Sequence, residues 1–365
     1  MKIQMTDLKG QYESIKGEID GAISGVLNES AFILGKQVAQ LEENVANYHG
    51  AKFAVGVSSG TDALILALAS IGIGKGDEVI TTPFTFIATA EAVCRLGAVP
   101  VFCDIDPDTY NMDAQKMEAK ITSKTKVIIP VHLYGMPCDM DKITDVAKRH
   151  NLLIVEDCAQ SFGTEYKNKK VGTFGACGCF SFFPAKTLGC YGDGGMVITD
   201  NEEYAKKLKM YRNHGSNKKY FYAEHGYNSR LDTLQAAVLL VKMKHIDKWI
   251  KDRIECAKCY NSLISGINGV STPVIPEGSI HSFNYYTLRI KGGGRDALAK
   301  RLNDHGIPTM IYYPLSLHLQ DVYKSIGYKQ GDFPSAEKAQ NEVLSLPMYP
   351  ELPKNQIEFI AEKIK

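Results

Sequence analysis

Between residues 53 and 157 the chain repeats one pattern: a short, nearly continuous apolar run, then a longer stretch with apolar residues three or four apart. The runs are Phe53-Ala54-Val55-Gly56-Val57, Glu78-Val79-Ile80-Thr81, Val99-Pro100-Val101-Phe102, Lys126-Val127-Ile128-Ile129-Pro130-Val131 and Leu152-Leu153-Ile154-Val155-Glu156-Asp157. Runs without polar alternation predict strands buried on both faces, and helices over 62–70, 87–96 and 140–150 supply the cover. The alternation predicts an α/β fold whose mixed, mostly parallel sheet is sandwiched by helices. Two amphipathic stretches, 11–28 and 36–48, precede the sheet as a helical N-terminal arm. Beyond it come the apolar run Phe180-Ser181-Phe182-Phe183, a strand at 196–199, a charged helix at 201–213 and a polar, aromatic loop reaching Arg230. A helix with Leu234, Ala237, Val238 and Val241 on one face follows, and another runs from Trp249 to Ile264. Pro and Gly then accumulate between Gly266 and Pro276. A boundary near 250 divides a large domain, 1–250, from a smaller C-terminal α/β domain, 251–365, with strands at 285–290 and 309–313 and helices at 295–305 and 354–365.

In sheets of this kind ligands collect at the carboxyl ends of the strands. That rule gathers Ser59-Gly60-Thr61, Thr85-Phe86, His132-Leu133-Tyr134-Gly135 and Asp157-Cys158-Ala159-Gln160 on one rim. The turn at 58–61 joins a strand to a helix N-terminus, where free N–H groups and the helix dipole suit a phosphate; the same residue types also cap helices for structural reasons alone. Asp157 closes an apolar run, and a buried carboxylate needs a cation, hydrogen-bond donors or a capping role. Lys186 follows the run at 180–183 and precedes the turn Gly192-Asp193-Gly194-Gly195. An average lysine there lies on the surface. One cofactor accounts for all four features: pyridoxal 5'-phosphate (PLP), with Asp157 on the pyridine nitrogen, Lys186 on the aldehyde, an aromatic residue of 84–86 on the ring and the 59–61 turn on the phosphate.

Composition narrows the setting. The 42 basic and 41 acidic residues leave a net charge of +1, which favours neither nucleic acid nor an anionic membrane. Nine cysteines, mostly within apolar runs, read as reduced thiols of a cytoplasmic protein. Cys177-Gly178-Cys179 flanks a strand pattern and Cys256 to Cys259 lies in a helical one, without histidines at ligand spacing, so no metal is expected. Met1-Lys2-Ile3-Gln4-Met5 lacks the apolar core of a signal peptide, and no run approaches the ~18 residues of a membrane span.

Taken in order, Ser59-Gly60-Thr61, Thr85-Phe86, Glu156 to Gly163, Ser181-Phe182 with Lys186, Gly192 to Gly195 and Gly226-Tyr227-Asn228-Ser229-Arg230-Leu231-Asp232 resemble the successive motifs of the nucleotide-sugar aminotransferases. These are PLP-dependent enzymes of fold type I, of the DegT/StrS type. The resemblance runs over essentially the whole chain. It implies that Lys186 binds the cofactor aldehyde and moves the proton, that Asp157 holds the pyridine nitrogen, that Phe86 stacks on the ring and that Gln160 faces the ring and its phenolic oxygen. It assigns Gly60, Thr61 and Ser181 to the phosphate, with Asn228 reaching in from a second subunit of a homodimer. L-glutamate is the implied donor and a nucleoside-diphosphate keto-sugar the acceptor. The segment Tyr312-Tyr313-Pro314-Leu315-Ser316-Leu317-His318 resembles one that lies beside the sugar in members aminating 3-keto sugars, although Leu315-Ser316 stands where a second proline is common. Tyr312, Tyr313 and His318 are therefore substrate candidates, or core packing at a domain junction. Arg230 is a candidate for a diphosphate or a sugar carboxylate, or a structural partner of Asp232 or Glu224. A 4-keto acceptor, or a PLP-binding regulatory protein without turnover, are the alternatives.

Overall fold

A computed structural model describes residues 3–365; Met1 and Lys2, the start of the N-terminal stretch read above, lie outside the described residues. Seven strands form the main sheet: β1 (Phe53–Val57), β2 (Glu78–Thr81), β3 (Val99–Phe102), β4 (Thr125–Ile128), β5 (Leu153–Asp157), β6 (Cys177–Ser181) and β7 (Gly195–Thr199). Their order across the sheet is β1-β7-β6-β5-β4-β2-β3. Only β7 runs against its neighbours β1 and β6, while every other neighbouring pair is parallel. All strands except β7 thus bring their carboxyl ends to one rim.

Both faces of the sheet are covered, which is why the strand sequences show no polar alternation. On one face Val55, Val57, Val79, Val127, Val155, Cys177, Cys179 and Val197 pack against the helix Gly60–Ser70. On the other, Ala54, Phe180, Phe182, Met196 and Ile198 pack against Val38, Leu41 and Val45 of the helix Lys36–His49 and Ala236, Val238 and Leu239 of the helix Thr233–Met243. The helical arm is therefore part of the core. Its first segment, expected as one helix over 11–28, is two, Leu8–Ser14 and Lys16–Glu29, because Ile15 leaves the helical region at φ −127°.

The C-terminal part holds an antiparallel sheet of β8 (Val270–Ser271), β9 (Tyr286–Ile290) and β10 (Val343–Leu346), covered by the helices Ile246–Ile264, Arg295–Asp304 and Lys354–Ile364. The boundary expected near 250 falls inside a continuous helix. Ile246, Trp249 and Ile250 belong to the large core, whereas Cys256, Ala257, Tyr260 and Ile264 belong to the small one. Between them the buried Arg253 donates to the carbonyls of Phe283 and Met348, each at 3.1 Å. The strand expected over 309–313 is reduced to a single bridge, Met310 to Ser345, because Tyr312 and Tyr313 turn into the cleft between the two parts. The helix Pro334–Glu342 was not foreseen. Its buried residues are two alanines, Ala336 and Ala339, and two polar ones, Gln340 and Glu342, and its start depends on Asp104, whose carboxylate accepts from the N–H groups of Ser335 and Ala336. Among the described residues no helix is long and apolar enough to cross a membrane.

Candidate active site

The carboxyl-end rim opens into a cavity of about 470 Å³, a volume typical of small-molecule sites. Its wall includes Gly60, Thr61, Thr85, Phe86, Thr89, Asp157, Gln160, Ser181, Lys186, Tyr312 and Tyr313, residues contributed by separate strand ends and by the C-terminal part.

The turn after β1 is shaped for an anion. Ser59 caps the helix Gly60–Ser70, its hydroxyl accepting the N–H of Asp62 at 3.1 Å, and this leaves Gly60 and Thr61, in the helix's first turn, on the cavity wall. Ser181, the last residue of β6, presses against the same turn. A Cβ on Gly60 would lie 2.6 Å from the Ser181 Cβ, so glycine is required by close approach. Backbone donors and two hydroxyls thereby converge on one point.

Across the cavity Asp157 is 4% exposed at the end of β5. One carboxylate oxygen accepts from the Thr89 hydroxyl at 2.7 Å and the other from the Ala159 N–H at 3.1 Å. Thr89 is itself 3.2 Å from the Thr85 hydroxyl. Burial raises the Asp157 pKa above the ordinary carboxylate range, against the opposing pull of Thr89, Ala159 and the Lys186 charge. Lys186 stands in the turn after β6, partly open to the cavity but with protein packed closely around its amine. Burial pulls that amine down to about 8, with the Asp157 charge pulling the other way. Each group is thus held in an environment that disfavours its charge and lacks a full counter-charge.

Phe86 lies on the wall, 55% exposed, its ring centroid 6.2 Å from that of Tyr313. Gln160 ties the rim to the C-terminal part: its carbonyl oxygen accepts the Tyr134 N–H at 2.8 Å and its amide donates to the Tyr313 hydroxyl at 3.0 Å. The Tyr134 hydroxyl in turn donates to the Tyr312 carbonyl.

Three candidates are not brought to this cavity. Asn228 is exposed, in a bridge to Asn213. Arg230 donates to the Asn213 side chain at 3.2 Å rather than pairing with Asp232 or Glu224. His318 is corrected from substrate candidate to packing: it is 1% exposed in a short turn, 3.0 Å from Glu337 and against the Phe333 ring. His132, on the expected rim, also faces away. Its Nδ1 accepts the Cys138 N–H and its Nε2 meets Glu156, which accepts three backbone N–H groups besides. His132, Glu156 and Cys158 do cluster, yet both ring nitrogens of the histidine are taken by hydrogen bonds. Thr89 was missed, although it lies one helical turn beyond Thr85 and faces the same wall. A second cleft of about 390 Å³ gathers Asp106, Asp113, Asp139, Glu277, Lys142 and Lys167, without convergent chemistry.

The residues fit PLP on three observations: the cradle where Gly60 admits no Cβ, the buried Asp157 carboxylate without a full cationic partner, and the depressed Lys186 amine facing the same space. The model of the DegT/DnrJ/EryC1/StrS aminotransferase family matches residues 13–365. A Geobacillus stearothermophilus protein named as a pleiotropic regulatory protein is 50% identical over 100% of this chain and 98% of its own. A UDP-N-acetyl-3-dehydro-alpha-D-glucosamine 3-aminotransferase of Acidithiobacillus ferrooxidans is 45% identical over 100% of this chain and 97% of its own. The crystal structure of S. venezuelae DesV, solved with a ketimine intermediate, superposes with a TM-score of 0.97 at 40% identity, covering 100% of this chain and 97% of that one.

Proposed function

Because the chain belongs to the DegT/DnrJ/EryC1/StrS aminotransferase family, and is a PLP-dependent sugar aminotransferase, we propose that it transfers the amino group of L-glutamate to C3 of a UDP- or dTDP-linked 3-keto sugar. The names of relatives at 40 to 45% identity support the 3-keto acceptor. We further propose a cytoplasmic homodimer. Nine free thiols support the compartment, and the exposed Phe32, Ile33, Leu34, Tyr220, Phe221 and Tyr222 support burial against a second copy.

PLP, when bound, supplies an electron sink for the carbanion formed at the substrate's α-carbon. This chain's residues do the rest. Gly60, Thr61 and Ser181 hold the phosphate, joined by Asn228 of the partner subunit. Asp157, kept in place by Thr89 and the Ala159 N–H, holds a proton on the pyridine nitrogen. Phe86 covers one ring face, and Gln160 sets the phenolic edge while positioning Tyr313. Lys186 would bind the cofactor's aldehyde, and its amine, whose basicity burial pulls down to about 8, would move the proton at the donor's α-carbon. Tyr312 and Tyr313 form the sugar side of the cavity, and Arg230 is assigned to the substrate's diphosphate or carboxylate.

The observation that carries this reading is Asp157 and Lys186 sharing one cavity in mutually unsatisfied environments. Turnover is favoured over a purely regulatory role because each chemical position holds a competent side chain. The test is to load the protein with pyridoxamine phosphate, offer 3-keto and 4-keto nucleotide sugars, and follow the visible absorbance of the aldehyde form. Return of the band with 3-keto sugars is expected; return only with 4-keto sugars overturns the acceptor assignment.

A further inference from the structure

Lys242 is a buried charge that the site as described does not use. It lies in the last turn of the helix Thr233–Met243, 1% exposed, in a helix that also buries Ala236, Ala237, Val238, Leu239 and Val241 around its circumference. An apolar side chain there would extend the core at no cost in desolvation, whereas an ammonium is costly to bury without a carboxylate. Its ammonium donates to the carbonyl of Gly189 at 2.7 Å and stands 4.3 Å from the centre of the Tyr191 ring. These contacts stabilise a positive charge without a salt bridge.

Gly189 closes the loop that carries Lys186. The Cys190 N–H donates to the Phe182 carbonyl at 2.8 Å and the Lys186 N–H to the Phe183 carbonyl at 2.9 Å, so residues 182–190 form a closed turn. Within it Gly189 passes so near the Pro184 carbonyl that a Cβ would lie 2.4 Å from its oxygen. Side chains fix the base of this turn from behind. Gln235, on the same helix as Lys242, accepts the Tyr191 N–H at 2.8 Å, and Asn284 accepts the Thr187 N–H at 3.2 Å. Lys242 is the charged member of this clamp.

We propose that Lys242 is a positioning residue for Lys186: its ammonium locks the Gly189 carbonyl, so that the Lys186 amine returns to one place in each half-reaction. This rests on the PLP-dependent reading above. Burial lowers the basicity of Lys242 to about 8, against the opposing pull of Cys190 and the Glu351 carboxylate. A displacement of the reacting amine by about 1 Å costs on the order of a hundredfold in rate.

The experiment compares wild type with Lys242→Met, which keeps length and removes the donor and charge, and Lys242→Gln, which restores a neutral donor. Three quantities are read on the PLP-loaded dimer: kcat and KM for glutamate, the pH titration of the bound cofactor's visible band, and thermal unfolding of the cofactor-free chain. Lys242→Met is expected to lower kcat tenfold or more at a KM within about threefold, to move the midpoint of the band titration, and to leave melting unchanged or raised. Lys242→Gln recovers part of kcat. Unchanged kcat and band titration in Lys242→Met overturn the proposal. Failure of both variants to fold overturns it too, since the ammonium would then be a structural staple. A wild-type protein that shows no cofactor band refutes the aminotransferase reading instead, so the two failures are distinguishable.

Discussion

Lys186 and Asp157 each sit where their own charge is penalised until a ligand arrives, and the penalty has a sign that pH can expose. For Lys186 the folded pKa of about 8 lies below the ordinary 10.5, so the folded, cofactor-free chain disfavours its protonated form. The unfolded chain then binds more protons between those values, and wild-type stability rises with pH across that window. Lys186→Met should therefore melt higher than wild type below pH 8 without cofactor, with the gap closing above about pH 10.5, while losing the visible band and all turnover. Calorimetry across pH, with absorbance for the band, checks both halves. Thr89 acts on the other pole. Thr89→Val removes a hydrogen bond to a buried carboxylate, worth about 1.5 kcal/mol, and should weaken PLP binding by roughly tenfold in an absorbance titration. Unaltered affinity would mean that Asp157 needs no support. These residues also show where a sequence is legible. Asp157 and Lys186 stand out because a charge interrupts or follows an apolar run. Thr89 and Lys242 do not, since periodicity assigns inward helical positions to the core without saying which of them meets a carboxylate or a carbonyl.

The strands were readable because burial on both faces leaves a local mark, a short and nearly continuous apolar run. Helices with a strong apolar stripe were readable for the same reason. Elements defined by distant partners were not. The helix Pro334–Glu342 depends on Asp104 for its start, and the segment at 309–313 gives up pairing so that two tyrosines reach the cleft. Of the two readings open for His318, packing is the one its surroundings match, because a short turn buries it against Phe333, an orientation that no spacing records. The sharpest test at this level is the contact between the turn after β1 and the end of β6. Gly60→Ala places a Cβ 2.6 Å from Ser181 and must push the two apart. Cofactor affinity is expected to fall tenfold or more in equilibrium dialysis, with a stability loss of about 1–3 kcal/mol typical of overpacking. A variant that binds PLP normally would refute the cradle.

For the molecule as a whole, the helix Ile246–Ile264 makes one body of two cores. A compositional change marks the neighbourhood of this junction in the sequence, but composition cannot reveal that one continuous helix crosses it. Arg253→Ala leaves the buried carbonyls of Phe283 and Met348 without their donor, each worth about 1–3 kcal/mol. Melting should fall by ~5 °C or more, and the two parts should begin to unfold separately in a calorimetric scan. A single transition at the wild-type temperature would show that the arginine is dispensable.

The reversed strand β7 sets how the lysine is supported. Most neighbouring strands of the sheet are joined by long crossovers that the packing of the faces holds fixed, but β6 and β7 meet as a hairpin, and its connection is the turn bearing Lys186. Lys186 therefore rides on a segment that leaves one interior strand and returns along the next. That segment is gripped from behind by Gln235, Asn284 and Lys242, whereas Gly60 and Asp157 are set by the ends of other strands. The amine and the groups it faces thus reach one cavity from separately anchored supports, so that either can be disturbed while the other keeps its place.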